Sequence, residues 1–197
     1  YVPKKWPKVS KKELSKFQNM NYQQIAFHIS KKFIENEIND KDLKKIITKS
    51  FRNFSKKNIA NIKELESNEW LLELFYGPTL AFKDYALQVV GNLFEYVLKK
   101  EKKKITIIGA TSGDTGSAAI NACKNKSTME LFIFHPYKKV SNIQRRLMTT
   151  VNAKNIHNIA IKGNFDDCQR LVKSMFLDED FRSSINFSDT EPTCLED

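Results

Sequence analysis

The spacing of apolar residues divides the chain into a helical beginning and a longer stretch in which strands and helices alternate. Over the first 65 or so residues, apolar positions recur at helical spacing after residues that commonly cap helices. Ser10 and Glu13 have the form of a capping box. Asn21 can cap a second helix, and Asn39 or Asp40 a third. This part predicts a scaffold of short helices that carries no chemistry.

From about Trp70 onward, short apolar runs alternate with amphipathic segments. The predicted elements are the apolar run Trp70–Phe75, helix Asp84–Lys100, strand Lys104–Gly109, helix Thr115–Lys124, strand Leu131–Phe134, helix Asn142–Val151, strand Asn155–Ile161 and helix Phe165–Phe176. Repeated β-α units with short connections imply an α/β fold, in which helices cover both faces of a parallel sheet. In such sheets ligands bind beyond the carboxyl ends of the strands. The loop after Gly109 occupies that position.

The change of pattern predicts how the chain is organised. We expect a helical amino-terminal region over residues 1–68, a βαβ lobe over 69–186 and a divergent tail over 187–197. With 197 residues, of which 41% are hydrophobic, the chain is long enough to bury a core. It contains no run close to the ~18 apolar residues that a membrane-spanning helix needs, so we expect no membrane partner.

The formal net charge of +10 invites a nucleic-acid interpretation, but the basic residues argue against it. The chain has 28 lysines and 5 arginines, although arginine is the better side chain for recognising phosphates and bases. The lysines are spread over the whole chain, which indicates a compositional bias. We therefore expect no nucleic-acid partner. A basic, non-catalytic binding module remains an alternative, and steeply salt-dependent binding would be its signature.

Cysteine and histidine spacing gives no metal or disulfide signature. The three cysteines and three histidines are widely separated: Cys123, Cys168, Cys194, His28, His135 and His157. We expect no bound metal and a reducing compartment such as the cytoplasm. Because the first residue is not Met, the sequence leaves open whether a targeting segment precedes it.

A loop with small and hydroxylic residues follows the predicted strand Lys104–Gly109. Between Thr111 and Gly116 the sequence reads Thr-Ser-Gly-Asp-Thr-Gly and leads into a helix. Backbone amides, the helix dipole and hydroxyl groups can cradle an anion there, and the glycines permit close approach. Asp114 would repel a phosphate but could accept a hydrogen bond from a ligand hydroxyl. An ordinary βα turn capped by Asp114 or Thr115 is the alternative interpretation.

Lys83 is the candidate nucleophile. It follows a Gly-Pro turn and the apolar triplet that ends at Phe82, and it stands at the start of a predicted helix. Desolvation or a neighbouring positive dipole helps a lysine to lose its proton, which makes the amine nucleophilic. The alternative is a solvated surface lysine, but the helix dipole would disfavour its charge at this end.

Taken together, these segments resemble signature segments of threonine synthase, a fold-type II pyridoxal-phosphate enzyme. The resemblance is carried by five ordered stretches, namely Tyr1–Pro7, Gly77–Asp84, Thr111–Gly116, His135–Gln144 and Gly163–Gln169. In the fourth stretch His135 and Lys138 depart from the family pattern, which has Tyr and Gly. The resemblance implies an incomplete tryptophan-synthase-β-like fold, with an amino-terminal helical segment before a parallel three-layer βαβ lobe.

The resemblance also implies a cofactor, a reaction and a set of roles. Lys83 would hold pyridoxal 5'-phosphate covalently and later shuttle protons. Asp114 would contact the phenolic oxygen of the cofactor. The substrate would be held by Thr111, Ser112, Gly113 and Thr115. The implied enzyme is a carbon–oxygen lyase that converts O-phospho-L-homoserine and water into L-threonine and phosphate. Threonine dehydratase and cysteine synthase-like enzymes of the same fold type remain alternatives, which Asp114, in place of Asn, disfavours.

The end of the chain departs from the family. After Asn186 the sequence Phe187–Asp197 lacks the family's Asn-Trp-x-Arg continuation, and the Gly-rich loop for the cofactor phosphate is absent. The partner of the pyridine nitrogen is absent as well. We therefore expect a truncated enzyme that lacks its larger second lobe and is inactive alone. The oligomeric state is left open.

Overall fold

The computed structural model describes residue 3 and residues 5–185 of the chain. The predicted tail 187–197, the opening Tyr1 and Val2, and Cys194 lie outside the described residues. The chain forms two compact units, the first ending at Gly77 and the second beginning at Pro78.

The first unit contains three helices and a β-hairpin. Its elements are α1 Lys11–Phe17, α2 Tyr22–Ile34, α3 Asp40–Ser50, β1 Asn61–Glu66 and β2 Glu69–Glu73. The predicted caps are confirmed, because the side chains of Ser10, Asn21 and Asn39 each accept a hydrogen bond from the first turn of the helix that follows. The core of this unit is apolar and includes Phe27, Ile38, Leu43, Ile46, Ile47, Phe51 and Ile59.

The hairpin corrects the expectation of a wholly helical region over residues 1–68, because β1 lies inside it. Its strands pair antiparallel, with Ile62 opposite Leu72 and Glu64 opposite Trp70. Lys, Glu and Leu dominate β1 and are good helix formers, which explains the wrong prediction. The turn between the strands includes Asn68 at φ 65°, a conformation that Asn adopts more readily than most residues.

The second unit is an α/β lobe built on three parallel strands, which confirms the predicted fold class. Its elements are α4 Lys83–Glu101, β3 Ile105–Ala110, α5 Asp114–Cys123, β4 Met129–Pro136, α6 Asn142–Thr149, β5 Ile156–Ile161, α7 Phe165–Leu177 and α8 Glu179–Ser184. The strand order is β3-β4-β5, so each strand lies beside its successor in the chain. The carboxyl ends of β3 and β4 are in register, with Ala110 opposite Phe134.

Apolar clusters lie on both faces of this sheet and give it three layers. One cluster joins β4 to α4, α5 and α6, and includes Leu98, Ile120, Leu131 and Met148. The other joins β3 and β4 to α7, with Ile108, Phe134, Cys168 and Val172 as buried members. Cys168, Leu171, Val172 and Met175 of α7 pack in this second cluster, as their spacing predicts.

Helix α4 buries a largely polar face. Its buried residues are Asp84, Gln88, Gly91, Asn92, Glu95 and Leu98, whereas Val90, Phe94 and Val97 stay more than a third exposed. The carboxamide of Gln88 donates to Asn121 of α5 at 3.2 Å, and the Lys126 ammonium donates to Asn92 at 2.6 Å and to Glu95 at 2.9 Å. The helical spacing of apolar residues therefore does not mark the face that packs against the lobe.

Candidate functional site

The loop that follows β3 is organised by the buried hydroxyl of Thr111. Its oxygen accepts hydrogen bonds from the amides of Gly113 and Gly116 at 3.0 and 2.9 Å. The Thr111 amide donates to the carbonyl of Phe134 on β4 at 3.0 Å, so the loop leaves the sheet in continuation of the strand pairing. Gly113 is the N-cap of α5. The predicted position of the loop, between a strand end and a helix start, is confirmed.

Two glycines of this loop are required by close contacts. Gly113 has a φ of 151°, and a Cβ atom there would lie 2.5 Å from the side-chain amide of Gln144. A Cβ on Gly116 would lie 2.4 Å from the methyl group of Thr111 and 3.0 Å from the sulfur of Met148. Neither position accepts a side chain without movement of its neighbours.

Lys83 and Thr115, which the sequence assigns to one site, lie in contact. Lys83 is the first residue of α4 and is half-buried, and its ammonium donates a hydrogen bond to the hydroxyl of Thr115 in the first turn of α5. The Lys83 nitrogen also lies 6.0 Å from the ring centre of the exposed Phe82. The amino termini of α4 and α5 therefore meet at the carboxyl edge of the sheet.

The turn before Lys83 is held by Asp84, a fully buried residue to which the sequence analysis gives no role. Its carboxylate accepts from the amide and from the hydroxyl of Thr79, both at 2.8 Å. Leu80, inside this turn, has a φ of 63°, an unfavourable conformation for a branched residue. Burial raises the pKa of Asp84, the hydrogen bonds from Thr79 oppose the rise, and the charge of Asp114 adds to it.

Asp114 contacts a second residue that sequence reasoning missed. The side-chain nitrogen of Gln144 on α6 donates to the Asp114 carboxylate at 2.5 Å. The Gln144 side-chain oxygen accepts from the hydroxyl of Ser141 at 2.8 Å. A usable signal was present, because Ser141 and Gln144 have the spacing of a capping box and belong to a stretch already singled out.

The site also includes an exposed serine and has a buried histidine at its sheet edge. Ser112 lies in the loop between the buried Thr111 and Gly113. His135 is buried near the end of β4, and among the described residues its Nδ1 atom has no hydrogen-bond partner. Burial lowers the pKa of His135, and the charge of Arg145 lowers it further, while a backbone hydrogen bond at Pro136 opposes both.

This arrangement suits an anionic ligand that also reacts with an amine. Lys83 supplies the amine, Ser112 and Thr115 supply hydroxyl groups, and the first-turn amides of α5 face the same edge. Within residues 5–185 no cluster of His, Cys, Asp or Glu has the geometry of a metal site. No helix in the described part of the chain is long and apolar enough to cross a bilayer.

Two family models match the chain. The model "Threonine synthase N terminus" matches residues 1–51, and the model "Pyridoxal-phosphate dependent enzyme" matches residues 56–191. The second match covers the whole loop 111–116, Lys83 and Gln144.

Curated relatives agree with these matches. A threonine synthase from Pseudomonas aeruginosa is 48% identical over 181 residues, which are 92% of this chain and 39% of that protein. A threonine synthase from Saccharomyces cerevisiae is 42% identical over 94% of this chain and 39% of its own length. The chain therefore spans about two fifths of the length of the curated relatives that it matches.

Solved structures agree as well. The chain is similar to a threonine synthase from Brucella melitensis with bound pyridoxal phosphate, with a TM-score of 0.91 and 35% identity over 100% of this chain and 41% of that one. A yeast threonine synthase gives a TM-score of 0.82 and 41% identity over 89% of this chain and 37% of its own.

The role of Asp84 gives a stability prediction. Asp84→Ala leaves the two buried donors of Thr79 without their acceptor, and we expect it to lower the free energy of unfolding by about 2–3 kcal/mol. Asp166→Ala is the matched control, because Asp166 is the exposed second residue of α7 as Asp84 is the buried second residue of α4. Urea unfolding at pH 7 should show less than about 1 kcal/mol for the control. Equal losses in the two variants would contradict the role of Asp84 in holding the turn before Lys83.

The buried His135 gives a pH prediction. Its folded-state pKa lies below the unfolded value of about 6.5, so its contribution to stability is complete above that pH and is lost as the pH falls. His135→Phe removes both ring nitrogens. We expect the free energy of unfolding to fall less between pH 8 and pH 5 in this variant than in the wild type. Urea titrations at the two pH values measure this difference. An equal fall in the free energy of unfolding in the variant and in the wild type would contradict it.

Proposed function

Because the chain belongs to the family of pyridoxal-phosphate-dependent enzymes, and its matches to threonine synthases run along nearly its whole length, we propose that it is the amino-terminal part of a threonine synthase. The proposed reaction converts O-phospho-L-homoserine and water into L-threonine and phosphate, in threonine biosynthesis. We propose a cytoplasmic location for it. The contact between Lys83 and Thr115 at the carboxyl edge of the sheet is the observation that carries this proposal.

The residues present fit pyridoxal phosphate as the family's cofactor. Lys83 is an amine held in a half-buried position by a hydroxyl group, and the exposed Ser112 lies in the loop at the same edge of the sheet. Asp114 offers a carboxylate to the phenolic oxygen of the ring. When bound, the cofactor supplies an electron sink for carbanions at the α and β carbons of the substrate.

Each residue of the site has a proposed task. Lys83 holds the cofactor and moves protons at its Nζ atom, while Thr115 keeps that atom in place through the hydrogen bond from Lys83. Ser112 presents a hydroxyl group to the substrate carboxylate, assisted by the dipole of α5, and Gly113 shapes the turn by donating its amide to Thr111. Thr111 keeps this loop in its conformation through its bonds to two amides.

The chain supplies part of the proposed site. Since it spans about 39% of the Pseudomonas relative, a whole enzyme would add residues beyond those in hand. The described lobe offers a lysine for the cofactor and a loop for the substrate carboxylate, and none of its residues has been assigned to the cofactor phosphate or the pyridine nitrogen. We expect the groups that bind these two parts of the cofactor among the additional residues. We therefore propose that turnover requires the longer protein.

The assignment of Lys83 predicts where the cofactor binds. After incubation of the protein at the length of its relatives with pyridoxal phosphate and reduction with borohydride, peptide mapping should find the label chiefly on Lys83. Lys83→Arg should remove this label while leaving the far-UV circular dichroism unchanged. Lys99→Arg, at the opposite end of α4, is the matched control and should keep it. Predominant labelling of another lysine would overturn the assignment.

The proposed substrate predicts a selective assay. The protein at the length of its relatives should release phosphate from O-phospho-L-homoserine and form threonine, and Lys83→Ala should abolish both. Serine, threonine and O-acetylserine are offered in parallel, because enzymes of the same fold type act on such compounds. Keto-acid formation from serine or threonine without phosphate release would favour a dehydratase and reject the proposal.

A further inference from the structure

The side chain of Gln144 has a fixed orientation. Its nitrogen donates to Oδ1 of Asp114 at 2.5 Å, and its oxygen accepts from the Ser141 hydroxyl at 2.8 Å. A carboxylate accepts hydrogen bonds and cannot donate one, so the nitrogen must be the atom that faces Asp114. The Ser141 hydroxyl also accepts a hydrogen bond from the backbone amide of Gln144 at 3.3 Å. Ser141 therefore ties the Gln144 carboxamide to the first turn of α6.

The same carboxamide lies directly over Gly113. A Cβ atom on Gly113 would lie 2.5 Å from the Gln144 side-chain carbon and oxygen and 2.9 Å from its nitrogen. Because Gly113 has no side chain, the carboxamide of Gln144 can pack directly against the backbone of the loop. The Ser117 hydroxyl of α5 donates to the Gly113 carbonyl at 2.7 Å and lies 3.5 Å from the backbone carbonyl of Gln144, so the backbone of α6 is also close to the loop.

We propose that Gln144 is the positioning residue of the 111–116 loop: it fixes the carboxylate of Asp114 and covers Gly113. Gln144 acts through Asp114 and does not itself contact a reacting atom. Gln144 occupies one acceptor site on Oδ1, and the remaining acceptor sites of the carboxylate are those that a ligand hydroxyl would approach. That Asp114 serves the phenolic oxygen of the cofactor rests on the proposed function, whereas the positioning of the loop rests on these contacts.

Gln144→Glu tests the donor, because it keeps the size of the side chain and exchanges the amide for a carboxyl group. At pH 8 two carboxylates would face each other and repel. At pH 5 the introduced carboxyl group can share a proton with Asp114 and again donate to it. The loop should therefore open at pH 8 and close at pH 5. A role in packing alone gives no such recovery.

The readout is hydrogen exchange of the amides in residues 111–116, corrected for intrinsic rates, in the 197-residue chain without cofactor. We expect Gln144→Glu to reduce loop protection about tenfold at pH 8 and to restore it to within about twofold of the wild type at pH 5. Gln144→Leu, which fills space but has no donor, should lose about fivefold at both pH values. Each variant is compared with the wild type at the same pH, so that effects of pH on the rest of the protein cancel.

Two further variants keep the test decisive. Gln169→Glu on α7 is the matched control, since it introduces the same change at another half-buried glutamine, and it should leave loop exchange unchanged. Ser141→Ala, which frees the Gln144 oxygen, should reduce protection about twofold even if Gln144→Glu does not fold. Circular dichroism reports the folding of each variant.

The outcomes separate this inference from the proposed function. Wild-type protection in Gln144→Glu at pH 8, or an equal loss at both pH values, would overturn the positioning role. Recovery at pH 5 together with failure to label Lys83 would reject the proposed function and leave the positioning role intact. Recovery of loop protection at pH 5, together with labelling of Lys83 that weakens at pH 8 in Gln144→Glu, would support both the positioning role and the proposed function.

Discussion

The close packing of α4 against α5 is the constraint on which the candidate site depends. A Cβ atom on Gly91 of α4 would lie 3.0 Å from the backbone oxygen of Ala122 on α5, so a side chain at this position would require the two helices to shift. Lys83 begins one helix and Asp114 begins the other. The distance between the helix axes therefore sets the distance between the amine and the loop, and the contact of Lys83 with Thr115 follows from it.

Both helices point their amino termini at the carboxyl edge of the sheet, and the acidic residues there are held by neighbours. Thr79 donates two hydrogen bonds to Asp84, and Gln144 donates one to Asp114. Hydrogen bonds to charged groups are stronger than those between neutral ones, so a few of them suffice to hold short turns in place. The site is consequently assembled by contacts from three elements, namely the turn before α4, the loop before α5 and the start of α6.

Much of the fold could be predicted because the decisive residues are close in sequence. The strand that ends at Ala110, the loop with its two glycines and the apolar face of α7 around Val172 all follow local patterns. The caps at Ser10 and Asn21 likewise depend on side chains that bond within one turn.

Other features depend on contacts between distant residues and could not be predicted. The first strand of the hairpin, Asn61–Glu66, was missed because its residues favour helix, and pairing across the turn overrides that preference. The contact of Gln144 with Asp114 joins residues 30 positions apart. For α4, apolar spacing indicated a face through Val90, whereas the face buried against α5 includes Gln88 and Asn92, because their polar partners come from elsewhere in the chain.

The polar buried face of α4 has a consequence for the direction in which the Lys83 amine points. Apolar contacts tolerate small rotations of a helix, but the hydrogen bonds of Lys126 to Asn92 and Glu95 are directional and buried. A slip by one residue would turn the helix by about 100° about its axis and carry Lys83 away from Thr115. The buried Lys126 thus fixes the rotation of α4 about its axis. Because Lys83 begins the same helix, that rotation also sets the direction in which its amine points, more than two helical turns away.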